Sequence, residues 1–224
     1  MTVPVITIDG PGGSGKGTIA HELAARLGWH CLDSGALYRI TAVMGERRGI
    51  ALDDEPALVA LVNTLPILFE AGRILVDGTD LADAIRSEAA GTGASRVGAL
   101  PGLRAALLQR QRDFASPPGL VADGRDMGTV VFPAAPLKVY LTASAEERAN
   151  RRYNQLINKG EGVSLPALLE DIRARDERDI ARPVAPLRPA EDAVHIDSTA
   201  MTIREVVDTV LAEAARRGLF AQAG

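Results

Sequence analysis

Several things are scarce in this 224-residue chain, and each scarcity closes off a class of function. There is one cysteine, Cys31, so neither an internal disulfide framework nor a cysteine-cluster zinc site can form. The three histidines, His21, His30 and His195, lie far apart and lack ligand spacing; with Met127 they offer no metal or nucleophile pattern and read as structural or surface residues. No stretch reaches the roughly 18 uninterrupted apolar residues of a membrane span. No basic region precedes the first apolar run, which argues against a secretory signal, so a cytoplasmic protein without a membrane partner is expected. Positive charge is not in excess: 25 basic against 29 acidic residues leave a formal charge of −4, which gives no support to broad nucleic-acid binding. Aromatics make up only 4% of residues, so the core must be Leu, Val, Ile and Ala drawn from the 46% that are hydrophobic. That is enough for one α/β domain with insertions, or at most two domains.

What is present is organised around Gly10-Pro11-Gly12-Gly13-Ser14-Gly15-Lys16-Gly17-Thr18. An apolar β-branched run ending at Asp9 precedes it, and an amphipathic stretch from Gly17 to Leu27, stopped by Gly28, follows. Strand, glycine-rich turn, helix is the setting of a Walker A phosphate loop. The glycines let successive N–H groups point inward, the helix start adds donors, and Lys16 brings a point charge to the outer phosphates. The hydroxyl wanted beside magnesium is Thr18, one place later than usual, because Gly17 follows the lysine. Gly10, Gly12 and Gly15 also fit a dinucleotide fingerprint, with Asp33 near the place of a ribose-binding acid. Lys16 argues against that nicotinamide reading, since a pyrophosphate held by backbone alone needs no lysine.

Four further short apolar segments read as core strands: 29–33, 119–123, 136–141 and 193–197. With 3–9 they give a P-loop, doubly wound, five-stranded parallel sheet with helices on both faces. Ser34 is expected to cap a helix running toward Gly49, and Asp53 or Asp54 the next one. Between them and the third core strand, 67–69 and 74–76 read as a hairpin, with 81–84 as a third short strand. Residues 85–90 read as a helix broken at Gly91-Thr92-Gly93 and resumed over 94–100, and Pro101 as the start of a long one. Ser144 with Glu147 resembles a capping box, 165–181 is helical, and 201–217 closes the chain with Ile203, Val206, Val207, Val210 and Leu211 as an apolar stripe. The expected division is a kinase core of 1–62 and 101–224, an inserted segment of 63–100, and a lid region of 148–182 within the core.

Ligands of such sheets bind at the carboxyl ends of the strands. There, Asp123 is placed to order magnesium or its waters. Arg125 can grip a phosphate with two donors, and Asp126 can accept from an amino group. Ser34 and Arg39 can face an anion, or be a plain cap and a surface cation. Arg148, Arg151 and Arg152 share a helical face, as do Arg175, Arg178 and Arg182. Two cationic stripes flanking the loop at 158–162 suggest a lid closing on a triphosphate; salt-bridged surface helices are the plainer reading.

These residues resemble a known family. The loop of residues 10–18 is similar to that of nucleoside monophosphate kinases. Leu32-Asp-Ser-Gly-Ala-Leu-Tyr-Arg39, the run from Ala122 to Pro133 and the run from Arg178 to Leu187 closely resemble bacterial cytidylate kinases. The resemblance implies transfer of the γ-phosphoryl of ATP to CMP or dCMP. It implies that Ser34, Arg39 and Arg125 hold the CMP phosphate, that Ser95, Arg104 and Asp126 read cytosine, and that Arg175, Asp179 and Arg182 face the sugar. The segment 66–100 resembles the family's monophosphate-binding insert. ATP is then expected on the loop Gly10 to Thr18 with Arg148 and Arg152, and Mg2+ on Thr18 and Asp123, directly or through water. Lys16, Arg125, Arg151 and Arg178 are expected to offset charge on the transferred group. A kinase for another acceptor such as UMP, a nicotinamide oxidoreductase and a non-enzymatic nucleotide switch are the rival readings. A monomer is expected.

Overall fold

A computed structural model of the chain describes residues 3–70, 73–158, 160 and 162–220. The tip of the 67–76 hairpin at 71–72, and residues 159 and 161 of the expected 158–162 loop, lie outside the described residues. Core strands and helices alternate: β1 (Val5–Asp9), α1 (Lys16–Leu27), β2 (His30–Asp33), α2 (Ser34–Arg47) and α3 (Glu55–Thr64) come first. A small antiparallel sheet follows, β3 (Ile67–Glu70), β4 (Arg73–Val76) and β5 (Thr79–Asp80), then α4 (Glu88–Val97) and α5 (Pro101–Arg112). The chain finishes with β6 (Leu120–Gly124), β7 (Leu137–Thr142), α6 (Ala145–Ile157), α7 (Leu165–Ile180), β8 (Val194–Asp197) and α8 (Ile203–Arg216).

The chain forms two compact units, residues 1–32 with 112–224, and residues 33–111. The large sheet runs β2-β6-β1-β7-β8, and β1 pairs in parallel with both β6 and β7. Strand β1 is central and buried on both faces: Ile6 and Ile8 on one face are fully buried, and Val5, Thr7 and Asp9 on the other are buried as well. Each isoleucine side chain is worth about 1.5–3 kcal/mol relative to exposure. Leaving β1, the chain goes first to β2 on one side and later to β7 and β8 on the other. The order therefore reverses at β1, and a ligand crevice is expected at its carboxyl end. Val206, Val207 and Val210 of α8 join this core as expected, but Ile203, the first residue of the helix, is exposed.

The second unit has a separate core, made where α2, α3, α4 and α5 meet, with Leu37, Ile40, Leu58, Leu103 and Leu107 at its centre. Two expectations fail here. The third short strand is Thr79–Asp80, not 81–84; Leu81 is instead fully buried, and Ala84–Arg86 forms a 3-10 turn. Helix α4 runs unbroken through Gly91 and Gly93. A β-carbon added at Gly93 would lie 2.8 Å from the Ala42 β-carbon, so this glycine lets α4 press against α2. Close packing outweighs its weak helix propensity, worth about 1 kcal/mol.

Candidate active site

In the first unit the phosphate loop is held by what it touches. A β-carbon at Gly10 would fall 2.0 Å from the Leu141 carbonyl oxygen, so only glycine lets the chain leave β1 this close to β7. Gly13 and Gly15 have φ of 78° and 90°, and Gly15 is the residue at which α1 begins. Lys16 is buried, and its Nζ donates to the Pro11 carbonyl at 3.1 Å, folding the side chain back over the loop. Thr18 is exposed on the first turn of α1. Asp123, buried at the end of β6, has a carboxylate oxygen 3.8 Å from where a Gly17 β-carbon would be. A larger residue at 17 would crowd that carboxylate.

Arg125 leaves the same strand end. Its Nη2 would sit 3.4 Å from a β-carbon on Gly12, so the guanidinium lies against the loop. Its Nε donates to Asp179 Oδ2 at 2.7 Å, and Arg182 holds the other oxygen of that carboxylate. Burial works against the charge on Arg125, but the Asp179 carboxylate more than offsets it and the guanidinium pKa is raised. Burial likewise opposes the Asp179 charge, and Arg125 and Arg182 reverse it, leaving that acid below its usual range. Asp126 is buried beside Arg125.

The arginines of α6 are tied to the loop. Arg148 is buried; it donates to the Ala143 carbonyl at 3.0 Å, to the Gly12 carbonyl at 2.9 Å and to both oxygens of Asp176 on α7. Arg151 donates to the Ser14 carbonyl at 3.3 Å, to the Ser198 carbonyl at 2.7 Å and to Glu147 at 2.8 Å. Arg152 donates to Gln155 at 3.3 Å. Ser144 caps α6 by accepting from the Glu147 N–H, but the Glu147 side chain turns to Arg151. On α7, Arg175 is half-buried and Arg178 exposed.

In the second unit the helix cap is Asp33, not Ser34. One carboxylate oxygen accepts from the Ala36 N–H at 3.0 Å and the other from Arg39 at 2.6 Å. A carboxylate at the cap satisfies a helix N–H and favours the positive dipole end, which displaces Ser34 into the first helical position. Asp33 is thereby engaged in capping rather than ribose reading. Ser95 and Arg104 are both buried. Arg104 donates to the Gly98 carbonyl at 3.1 Å and stands 5.5 Å over the Tyr38 ring.

The sequence reading gave no role to Asp176, which pairs with Arg148, or to Ser198, which accepts from Arg151. Their signal was an acid or hydroxyl at a strand end or one helical turn from an arginine, a pattern shared with many solvated residues. Among the described residues no group of three or more His, Cys, Asp or Glu is placed to hold a metal, and no helix is long and apolar enough to cross a membrane. Two oxygen groups near a phosphate loop are nonetheless the donor set suited to Mg2+, which keeps several waters and takes its other ligands from phosphates.

The chain is 61% identical to the cytidylate kinase of Chromobacterium violaceum, covering 94% of this chain and 95% of that protein. It is 59% identical to the cytidylate kinase of Stutzerimonas stutzeri, covering 97% of each. Residues 6–216, which take in the loop, the Arg125–Asp126 strand end and both arginine-bearing helices, match the model of the cytidylate kinase family. On that match, which spans nearly the whole chain, the protein belongs to the cytidylate kinase family.

Proposed function

We propose that this chain transfers the γ-phosphoryl group of ATP to CMP or dCMP, giving ADP and CDP or dCDP. The observation that carries the reading is the placing of Arg125 against Gly12: a guanidinium shaped for phosphate stands beside a loop shaped for triphosphate. An oxygen of the CMP phosphate attacks the γ-phosphorus, and the bond to the β-phosphate oxygen of ATP breaks. The attacking oxygen is already ionised near neutral pH, so no general base is needed. Positioning and charge stabilisation supply the rate.

Lys16 and the N–H groups of Gly10 to Thr18 hold the β and γ phosphates. Arg125, Arg151 and Arg178 offset charge on the transferred group, and Arg148 and Arg152 keep the loop and the ATP in register. Thr18 and Asp123 would hold Mg2+, directly or through water; when bound, the ion would supply positive charge to offset that of the triphosphate. Ser34 and Arg39 meet the CMP phosphate, as does Arg125. Ser95, Arg104 and Asp126 read the cytosine, and Arg175, Asp179 and Arg182 face the sugar. Residues 63–100 serve the monophosphate, and 148–182 act as a lid. The protein works as a cytoplasmic monomer on small nucleotides.

A coupled assay with ATP, Mg2+ and a panel of CMP, dCMP, UMP, AMP and non-nucleotide alcohols tests the reading. CMP and dCMP are expected to be turned over far faster than the rest. A folded protein that makes no CDP, or that prefers UMP, overturns it.

A further inference from the structure

The short turn that follows Arg125 and Asp126 is held at both ends by groups outside the expected site. Residues Met127–Val131 form one turn of π-helix, closed by the Val131 N–H on the Asp126 carbonyl at 3.2 Å and the Phe132 N–H on the Met127 carbonyl at 2.7 Å. Single π turns occur often at functional positions. The first N–H groups of such a turn have no partner within it. Here the Met127 N–H donates to Asp9 Oδ1 and the Gly128 N–H to Asp9 Oδ2, both at 2.7 Å. At the far end Arg112 donates from Nε to the Val131 carbonyl at 3.0 Å and from Nη2 to the Val130 carbonyl at 3.2 Å. An anion at the start and a cation at the end match the direction of the turn's dipole. The turn also lies flat on the sheet: a β-carbon at Gly128 would stand 2.9 Å from Thr7 Oγ1 and 3.1 Å from Lys138 Cδ.

Asp9 is 4% exposed. Burial pushes its carboxyl up to about 6 despite the two N–H donors, with Asp126 adding repulsion and Lys16 attraction. A neutral side chain would be easier to bury, but it could not accept two N–H bonds in this fork. Asparagine has one acceptor oxygen, and its amide N–H2 would face the second donor. The Asp126 backbone is itself part of the turn's bonding, so its side chain and that of Arg125 inherit the turn's position.

We infer that Asp9 and Arg112 are positioning residues for the acceptor nucleotide, clamping the 127–131 turn from both ends so that Arg125 and Asp126 are fixed in place. This rests on the CMP-kinase reading above. The test is steady-state kinetics of Asp9→Asn, Arg112→Gln and Asp126→Ala, varying ATP and the acceptor separately, with CMP and UMP compared. Asp9→Asn is expected to raise the KM for CMP about tenfold and to narrow the CMP-over-UMP preference, with the KM for ATP within about twofold. Arg112→Gln, a change at the surface, is expected to act in the same direction by about threefold. If Asp9→Asn does not fold, Arg112→Gln decides alone. Unchanged acceptor kinetics, or equal shifts in both KM values, overturn the clamp. A shift with Asp126→Ala alone overturns the clamp and spares the kinase reading. A wild-type protein that makes no CDP overturns both.

Discussion

In the first unit Arg125, Arg148, Arg151 and Arg182 each meet a carboxylate, and Arg148 and Arg151 also grip carbonyls of the phosphate loop. In the second, Arg39 meets the Asp33 carboxylate at the start of α2, whereas the buried Arg104 is held by an aromatic ring and a backbone carbonyl inside an otherwise aliphatic core. On the proposed function, the difference between Arg104 and the arginines of the first unit suits two tasks. Charge that must face a transferring phosphoryl group has to be aimed before the substrate arrives, and carboxylate partners fix guanidinium planes at little reorganisation cost. Recognition of a neutral base depends on shape and a few polar edges, and a tightly packed helical unit supplies both.

Four changes would break or sharpen that contrast. Lys16→Met, nearly isosteric at a buried position, should lower kcat/KM by about a thousandfold or more, about 4 kcal/mol, while far-UV circular dichroism stays unchanged. Asp176→Ala should leave the buried Arg148 charge without its carboxylate and destabilise the protein by about 3 kcal/mol in urea unfolding. If stability is instead unchanged, the loop is not held by charge pairing.

Asp9 gives a pH test of the same unit. Its carboxyl is raised from 3.8 to about 6 in the fold, so ionising it costs more in the folded than in the unfolded chain. Its contribution is fully present below about pH 4, is lost as pH rises through 6, and is flat above. The loss should be about 3 kcal/mol. Wild-type stability measured against Asp9→Asn from pH 4 to 8 should show that fall and then a plateau; a constant difference would refute it. The smallest effect belongs to the second unit. Gly93→Ala should cost about 2 kcal/mol by pushing α4 off α2, with the KM for ATP unaffected. A matching loss of ATP binding would erase the distinction between the units.

The parts written in local pattern were legible in the sequence. The phosphate loop, the core strands, the start of α5 at Pro101 and the cap of α3 by Asp54 all follow from short-range chemistry. What misled was chemistry with two meanings. Gly91 and Gly93 read as a helix break because glycine is a poor helix former, yet the helix exists because Gly93 admits α2. Ser34 read as a cap because serine often is one, but Asp33 stood one residue earlier with a stronger acceptor. The arginines were visible as a cationic cluster; that Arg148 pairs with Asp176 and Arg125 with Asp179 was not, since pairing across 28 and 54 residues leaves no local trace.

The middle position of β1 has a consequence for how the protein is made. Its neighbours begin at Leu120 and Leu137, so the strand that carries the phosphate loop leaves the ribosome long before either flank exists. Residues 33–111, with their own apolar core, emerge in the interval and have all their partners close at hand. Synthesis therefore favours the second unit folding first, with the nucleotide loop taking shape only after more than half the chain has appeared.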